Sequence, residues 1–113
     1  MPSADLSAAK AVIDVAHEVV TAATGKLAAG GGPDVLQVLA YDLAHAAATV
    51  DTGRAMLGYG EKGEVEAQLT CAYIADLVAE LTPKLFGREA EWGVQPDALD
   101  DTRAFVATYR DPA

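Results

Sequence analysis

Apolar residues recur along the chain at steps of three and four, the spacing of a helix with one buried stripe. Leu6, Ala9, Ile13, Ala16, Val20 and Ala23 form the first such row. Ser7, Lys10, Asp14, Glu18 and Thr21 fall mostly off it, and Ser3 is a good N-cap for the helix. Gly25 is its expected stop, with room for one more turn through Ala29 before Gly30-Gly31-Gly32-Pro33 breaks any helix. Asp34 is positioned to cap a second helix with the stripe Leu36, Leu39, Leu43, Ala46, Val50, Gly53 and Leu57. A glycine on an apolar stripe costs about 1 kcal/mol against alanine, so Gly53 predicts a close helix contact.

Gly58, Gly60 and Gly63 surround a turn tipped by Glu61 and Lys62. A third helix starts near Gly63 or Glu64, with Glu64 and Glu66 in the first turn, where the helix dipole favours acids. Ala67, Cys71, Ile74, Val78, Leu81 and Leu85 make its face, widened by Leu69, Ala72, Tyr73 and Ala75. Pro83 predicts a kink or an end near Leu81; Gly87 is the stop if the helix runs on. Residues 88–96 read as a polar connection around Trp92, and Pro96-Asp97 opens a last helix on which Leu99, Phe105, Val106 and Tyr109 can pack. No stretch alternates with period two, so no strand is predicted. The expectation is all-α: a four-helix antiparallel bundle in one domain over residues 1–113, with helices at about 4–25, 34–58, 64–86 and 97–110.

Composition narrows the function classes. The 113 residues include 24 alanines, 17 acids and 8 bases, for a formal charge of −9. That balance argues against nucleic acid and anionic membranes, which favour positive surfaces. The apolar runs fall short of the roughly 20 residues that a membrane span needs. A single cysteine, Cys71, excludes an internal disulfide and a Cys-cluster metal site. The N-terminus lacks the basic start and apolar centre of a signal peptide, so the expected location is the cytoplasm.

Candidate chemistry is thin. Asp42 and His45 share one side of the second helix, but a di-iron bundle needs two Glu-x-x-His helices and two further glutamates. His17 has no partner histidine at metal spacing. Cys71 lies on an apolar face, where a cysteine behaves as a small hydrophobe. A small enzyme or ligand pocket using Asp42, His45 and Cys71 is a third and least favoured reading. The acid pairs Glu64/Glu66 and Asp100/Asp101 read as solvated first-turn acids. The glycine-rich run lacks the preceding strand and the Gly-Lys-Ser/Thr ending of a phosphate loop. No catalytic, cofactor or metal residue is therefore assigned.

At Ala40-Tyr41-Asp42-Leu43-Ala44-His45, at Met56-Leu57-Gly58-Tyr59-Gly60 and through residues 55–81, AMLGYGEKGEVEAQLTCAYIADLVAEL, the chain resembles acyl-CoA dehydrogenase-type flavoproteins. It looks most like the N-terminal helical extension of the methylsuccinyl-CoA dehydrogenase type, with Phe86-Gly87-Arg88-Glu89 and Glu91-Trp92-Gly93 as the exit from its long helix. The resemblance covers about residues 35–94. It implies an all-α fold like that family's helical domains, and a non-catalytic accessory or oligomerisation domain of an FAD-dependent oxidoreductase. FAD would belong to the parent flavoprotein, whose catalytic glutamate matches no residue here. On that reading, Tyr73, Leu85, Phe86 and Trp92 are the candidate contacts for packing on a flavoprotein body or for self-association. The alternative is a stand-alone homodimeric helical interaction module, since a small alanine-rich bundle gains core by pairing.

Overall fold

The computed structural model describes residues 3–110. Three long helices run antiparallel in sequence order: α1 (Leu6–Ala29), α2 (Gln37–Gly60) and α3 (Glu64–Leu85). A one-turn α4 (Glu89–Trp92), a 3-10 turn over Asp100–Thr102 and a short α5 (Arg103–Arg110) complete an all-α bundle. No strand occurs among the described residues. The predicted stripes are the core: Ile13, Leu39, Val50, Cys71, Ile74 and Val78 lie within it at 1 % exposure or less.

Close backbone approach sets the packing. A Cβ added at Gly53 would stand 2.8 Å from Leu77 Cδ2 and 2.9 Å from Ile13 Cδ1. Gly53 thus lets α2 press against α1 and α3 together, as its place on the stripe predicts. Two turns further on, at the end of α2, a Cβ at Gly60 would meet Leu6 and Thr70, each at 2.9 Å. The buried Thr70 hydroxyl is shared between the carbonyls of Met56 (3.0 Å) and Glu66 (2.9 Å), tying α3 to α2. α5 lies antiparallel on α3, with Arg110 Nε donating to Asp76 at 2.9 Å and the Tyr109 hydroxyl donating to the carbonyl of Ser3 at 2.8 Å.

Several boundaries differ from the pattern. The N-cap of α1 is Asp5, not Ser3: the Asp5 side chain accepts from the Ala8 amide at 2.9 Å, while Ser3 lies two residues outside the cap. Gly25 does not stop α1, because Leu27 packs against the core and repays the helix turn that carries it. The end is sealed by glycines instead, with Gly31 at φ 107° and the Gly32 amide bonded to the Leu27 carbonyl at 2.9 Å. Asp34 caps nothing: residues 32–36 form a turn on the Gly32 carbonyl, and α2 starts at Gln37 after Leu36.

α3 passes through Pro83 and ends at Leu85, followed by Gly87 at φ 79°. Proline in a last turn forfeits only one helix hydrogen bond. The expected helix over 97–110 is broken. Three successive i→i+3 hydrogen bonds, ending with the Thr102 amide on the Leu99 carbonyl at 3.0 Å, wind residues 95–102 as tight turns. Asp97, Asp100 and Asp101 favour turns over helix interior, and only α5 is regular helix.

Candidate functional site

The residues that could have carried chemistry are kept apart. Asp42 accepts from Arg88 Nη1 at 2.8 Å, and the same guanidinium reaches Glu91 at 2.9 Å through Nη2. This partly buried clamp fastens α4 to α2, and its two carboxylates hold the Arg88 pKa well above the ordinary value. His45 leans on the Tyr41 ring, with centroids 4.6 Å apart. Cys71 is fully buried, and its thiol points at the Asp5 carbonyl across 3.8 Å. Burial pushes that thiol above its usual pKa, the opposite of what a nucleophilic thiolate needs. Glu64 accepts from the Ala4 amide (3.4 Å) and from Gln68 (3.2 Å), and Asp100 lies 3.7 Å from Arg103, so both acid pairs have structural partners. Among the described residues no three His, Cys, Asp or Glu side chains gather as a metal site. None of the described helices is long and apolar enough to cross a membrane.

The four candidate contact residues divide. Trp92 has 0 % exposure and Leu85 4 %, which corrects the expectation that they present a surface to a partner. Trp92 closes one end of the core from α4, held there by Gly93 at φ 75° in a helix stop. Tyr73 is half-buried, and Phe86 is 82 % exposed. Phe86 stands at the mouth of a cleft of about 570 Å³ between α3 and α5, lined chiefly by Ala79, Leu85, Leu99 and Val106.

A larger surface feature was not anticipated. The large hydrophobic side chains most exposed among the described residues are Val35, Val38, Tyr41, Tyr59, Val65, Leu69 and Phe86. All seven lie on the α2–α3 hairpin or directly at its ends. Successive helical residues turn by about 100°. Tyr41, Ala44, Ala48, Thr52, Ala55 and Tyr59 therefore line up along the outermost ridge of α2, and every one is exposed. None is charged, although the chain carries a net charge of −9. The outward residues of α1 include Lys10, Glu18 and Lys26. Steps of three and four between uncharged residues on the polar side of α2 were the available signal.

No protein-family model matches the chain, and no curated protein or solved structure is significantly similar to it.

Proposed function

We propose that the chain is a non-catalytic helical interaction module whose working surface is the outward face of the α2–α3 hairpin. The observation that carries this reading is the confinement of the exposed large hydrophobics to that hairpin, beside an uncharged ridge five turns long. An exposed apolar side chain standing alone needs no explanation, but all seven fall on or beside one hairpin and none on α1 or α5, a bias that points to an interaction surface there. A photo-reactive phenylalanine analogue at position 48 tests it, against the same group at Thr21 on the outer side of α1. In an extract of the native source, position 48 should form a discrete protein adduct and position 21 none. Equal labelling from both positions, or none from 48, overturns the reading.

A narrower second reading rests on the resemblance of residues 55–81: the module is the N-terminal accessory domain of an acyl-CoA dehydrogenase-like flavoprotein in the cytoplasm. FAD and the oxidoreductase activity would then reside in the parent body. Tyr73 and Phe86 are the candidate contacts that retain exposed surface for packing on it. The intact mass and visible spectrum of the natural polypeptide test this. A large chain with a flavin band supports it, and a colourless chain of 11.7 kDa removes it.

A further inference from the structure

We infer that the cleft between α3 and α5 is a binding site for a small amphiphilic cation, an apolar body that carries one ammonium group. The site is separate from the outer ridge of α2 and does not depend on the role of that ridge.

The cleft follows from how α5 is fastened. Its C-terminal end is held by Arg110 on Asp76 of α3 and by Tyr109 on the Ser3 carbonyl, and Phe105 is buried on its inner side. Its other end arrives through the tight turns of residues 95–102, and stands over the second half of α3. The side chains that face one another there are small or only half-buried: Ala79 and Thr82 on α3, Leu99 in the turns and Val106 on α5. They leave a space of about 570 Å³, within the ~300–1,000 Å³ of small-molecule pockets. At the ~30 Å³ of a water-sized group, that is room for about 15 non-hydrogen atoms with solvent at the rim. The walls are mainly apolar, so release of water from an apolar body drives entry.

Charge selects the head group. The charged side chains that line the cleft are Glu89, Asp100 and Arg103. Asp100 and Arg103 lie 3.7 Å apart and offset one another. Glu89 is half-buried, and its carboxylate has no ion-pair partner among the described residues. It accepts a hydrogen bond from the Gly87 amide through Oε2 at 3.3 Å, and Oε1 is left open. Three residues earlier, Phe86 leaves α3 with an extended backbone (ψ 116°) and keeps its ring exposed at the mouth. A carboxylate and an aromatic ring on one cleft together take an ammonium, by charge-assisted hydrogen bonding and by cation–π attraction. An anion would meet Glu89 and the field of a chain that carries −9. An inorganic cation would leave the apolar walls uncovered, so the charge must come on an apolar body.

Titrating the isotope-labelled full chain at neutral pH with phenylbutylamine, phenylbutanol and phenylbutyrate tests this, because the three probes share one body and differ in charge. Amide shifts should saturate with the amine, centred on Ala79, Thr82, Phe86, Glu89, Leu99 and Val106. The amine should bind about tenfold more tightly than the alcohol, and the acid more weakly than either. Added salt should weaken the amine and spare the alcohol. Glu89→Gln keeps the size of the side chain and should bring the amine down to the affinity of the alcohol. An unchanged affinity for the alcohol in that variant shows that the cleft is intact. Ala79→Leu keeps a strong helix former, fills the cleft from α3 and should abolish saturation by all three probes. Shifts that do not saturate or that centre elsewhere overturn the inference. So do an alcohol or acid bound as tightly as the amine, a Glu89→Gln chain that keeps the preference, or an Ala79→Leu chain that still binds.

Discussion

Replacing Trp92 separates a core role from a contact role. The side chain is completely buried on a one-turn helix, and its indole Nε1 finds no hydrogen-bond acceptor within the protein. Burying an indole removes about 200 Å² from water. At about 25 cal/mol per Å² that contributes ~5 kcal/mol, and allowing for a compact unfolded chain lowers it to ~4. An unpaired buried N–H costs ~1 kcal/mol or more. Trp92→Ala should therefore destabilise the fold by about 3 kcal/mol, the low end for such truncations. Trp92→Phe loses part of the area but also removes the orphaned donor, so its cost should stay near 1 kcal/mol. Urea denaturation followed by far-ultraviolet circular dichroism measures both, at a concentration where the chain is monomeric. With a slope of about 1.5 kcal/mol per molar, the Ala variant should lose about 2 M in midpoint. A loss for Ala below about 1 kcal/mol would refute the core role. A Phe variant as unstable as the Ala variant would refute the argument about the donor.

Three other perturbations follow from the packing. Gly53→Ala gains about 1 kcal/mol of helix propensity but pushes on Leu77 and Ile13 at a cost of ~2, so a net loss near 1 kcal/mol is expected. Gly53→Val should cost ~3 kcal/mol by the same urea assay, and a stabilised Ala variant would show that the three-helix contact is looser than described. Arg88→Ala should cost about 1–2 kcal/mol, non-additively with Asp42→Ala, and should speed amide exchange in α4 selectively. The folded chain holds the Cys71 proton above the thiol's ordinary 9.0, where the unfolded chain has already lost it. That contribution to stability is full below pH 9 and declines as the pH rises through the raised folded value. Cys71→Ala should flatten this alkaline loss, and a thiol reagent at neutral pH should modify the native protein only as fast as it unfolds.

How much the sequence disclosed depends on which force decided each feature. The stripes of the long helices were legible because burial imposes a 3.6-residue period over many residues, and Gly53 was legible as a gap in one such stripe. The caps were not. Ser3 and Asp5 are both good N-caps, and the choice between them rests on tertiary contacts of the entering strand of chain. Residues 97–110 have helical spacing, yet local aspartate turns competed and won over their first half. For the surface, the pattern of α2 assigned Tyr41, Ala44, Ala48 and Tyr59 only by default, as whatever was not core. Trp92 illustrates the reverse limit: a lone indole in a polar connection is most often the lid of its own core but is also the best hot-spot candidate, and the position of α4 against α1 makes it the lid.

The central claim is that the uncharged outer ridge of α2 is the surface through which the chain associates. Amide nitrogen–proton spectra of the isotope-labelled protein, recorded with and without an extract of the native source, test it residue by residue. The account predicts shifts or broadening on adding the extract at Tyr41, Ala44, Ala48, Thr52, Ala55 and Tyr59, with Lys10, Glu18 and Thr21 on α1 unmoved. Spectra that the extract leaves unchanged, or changes centred on α1, would contradict it.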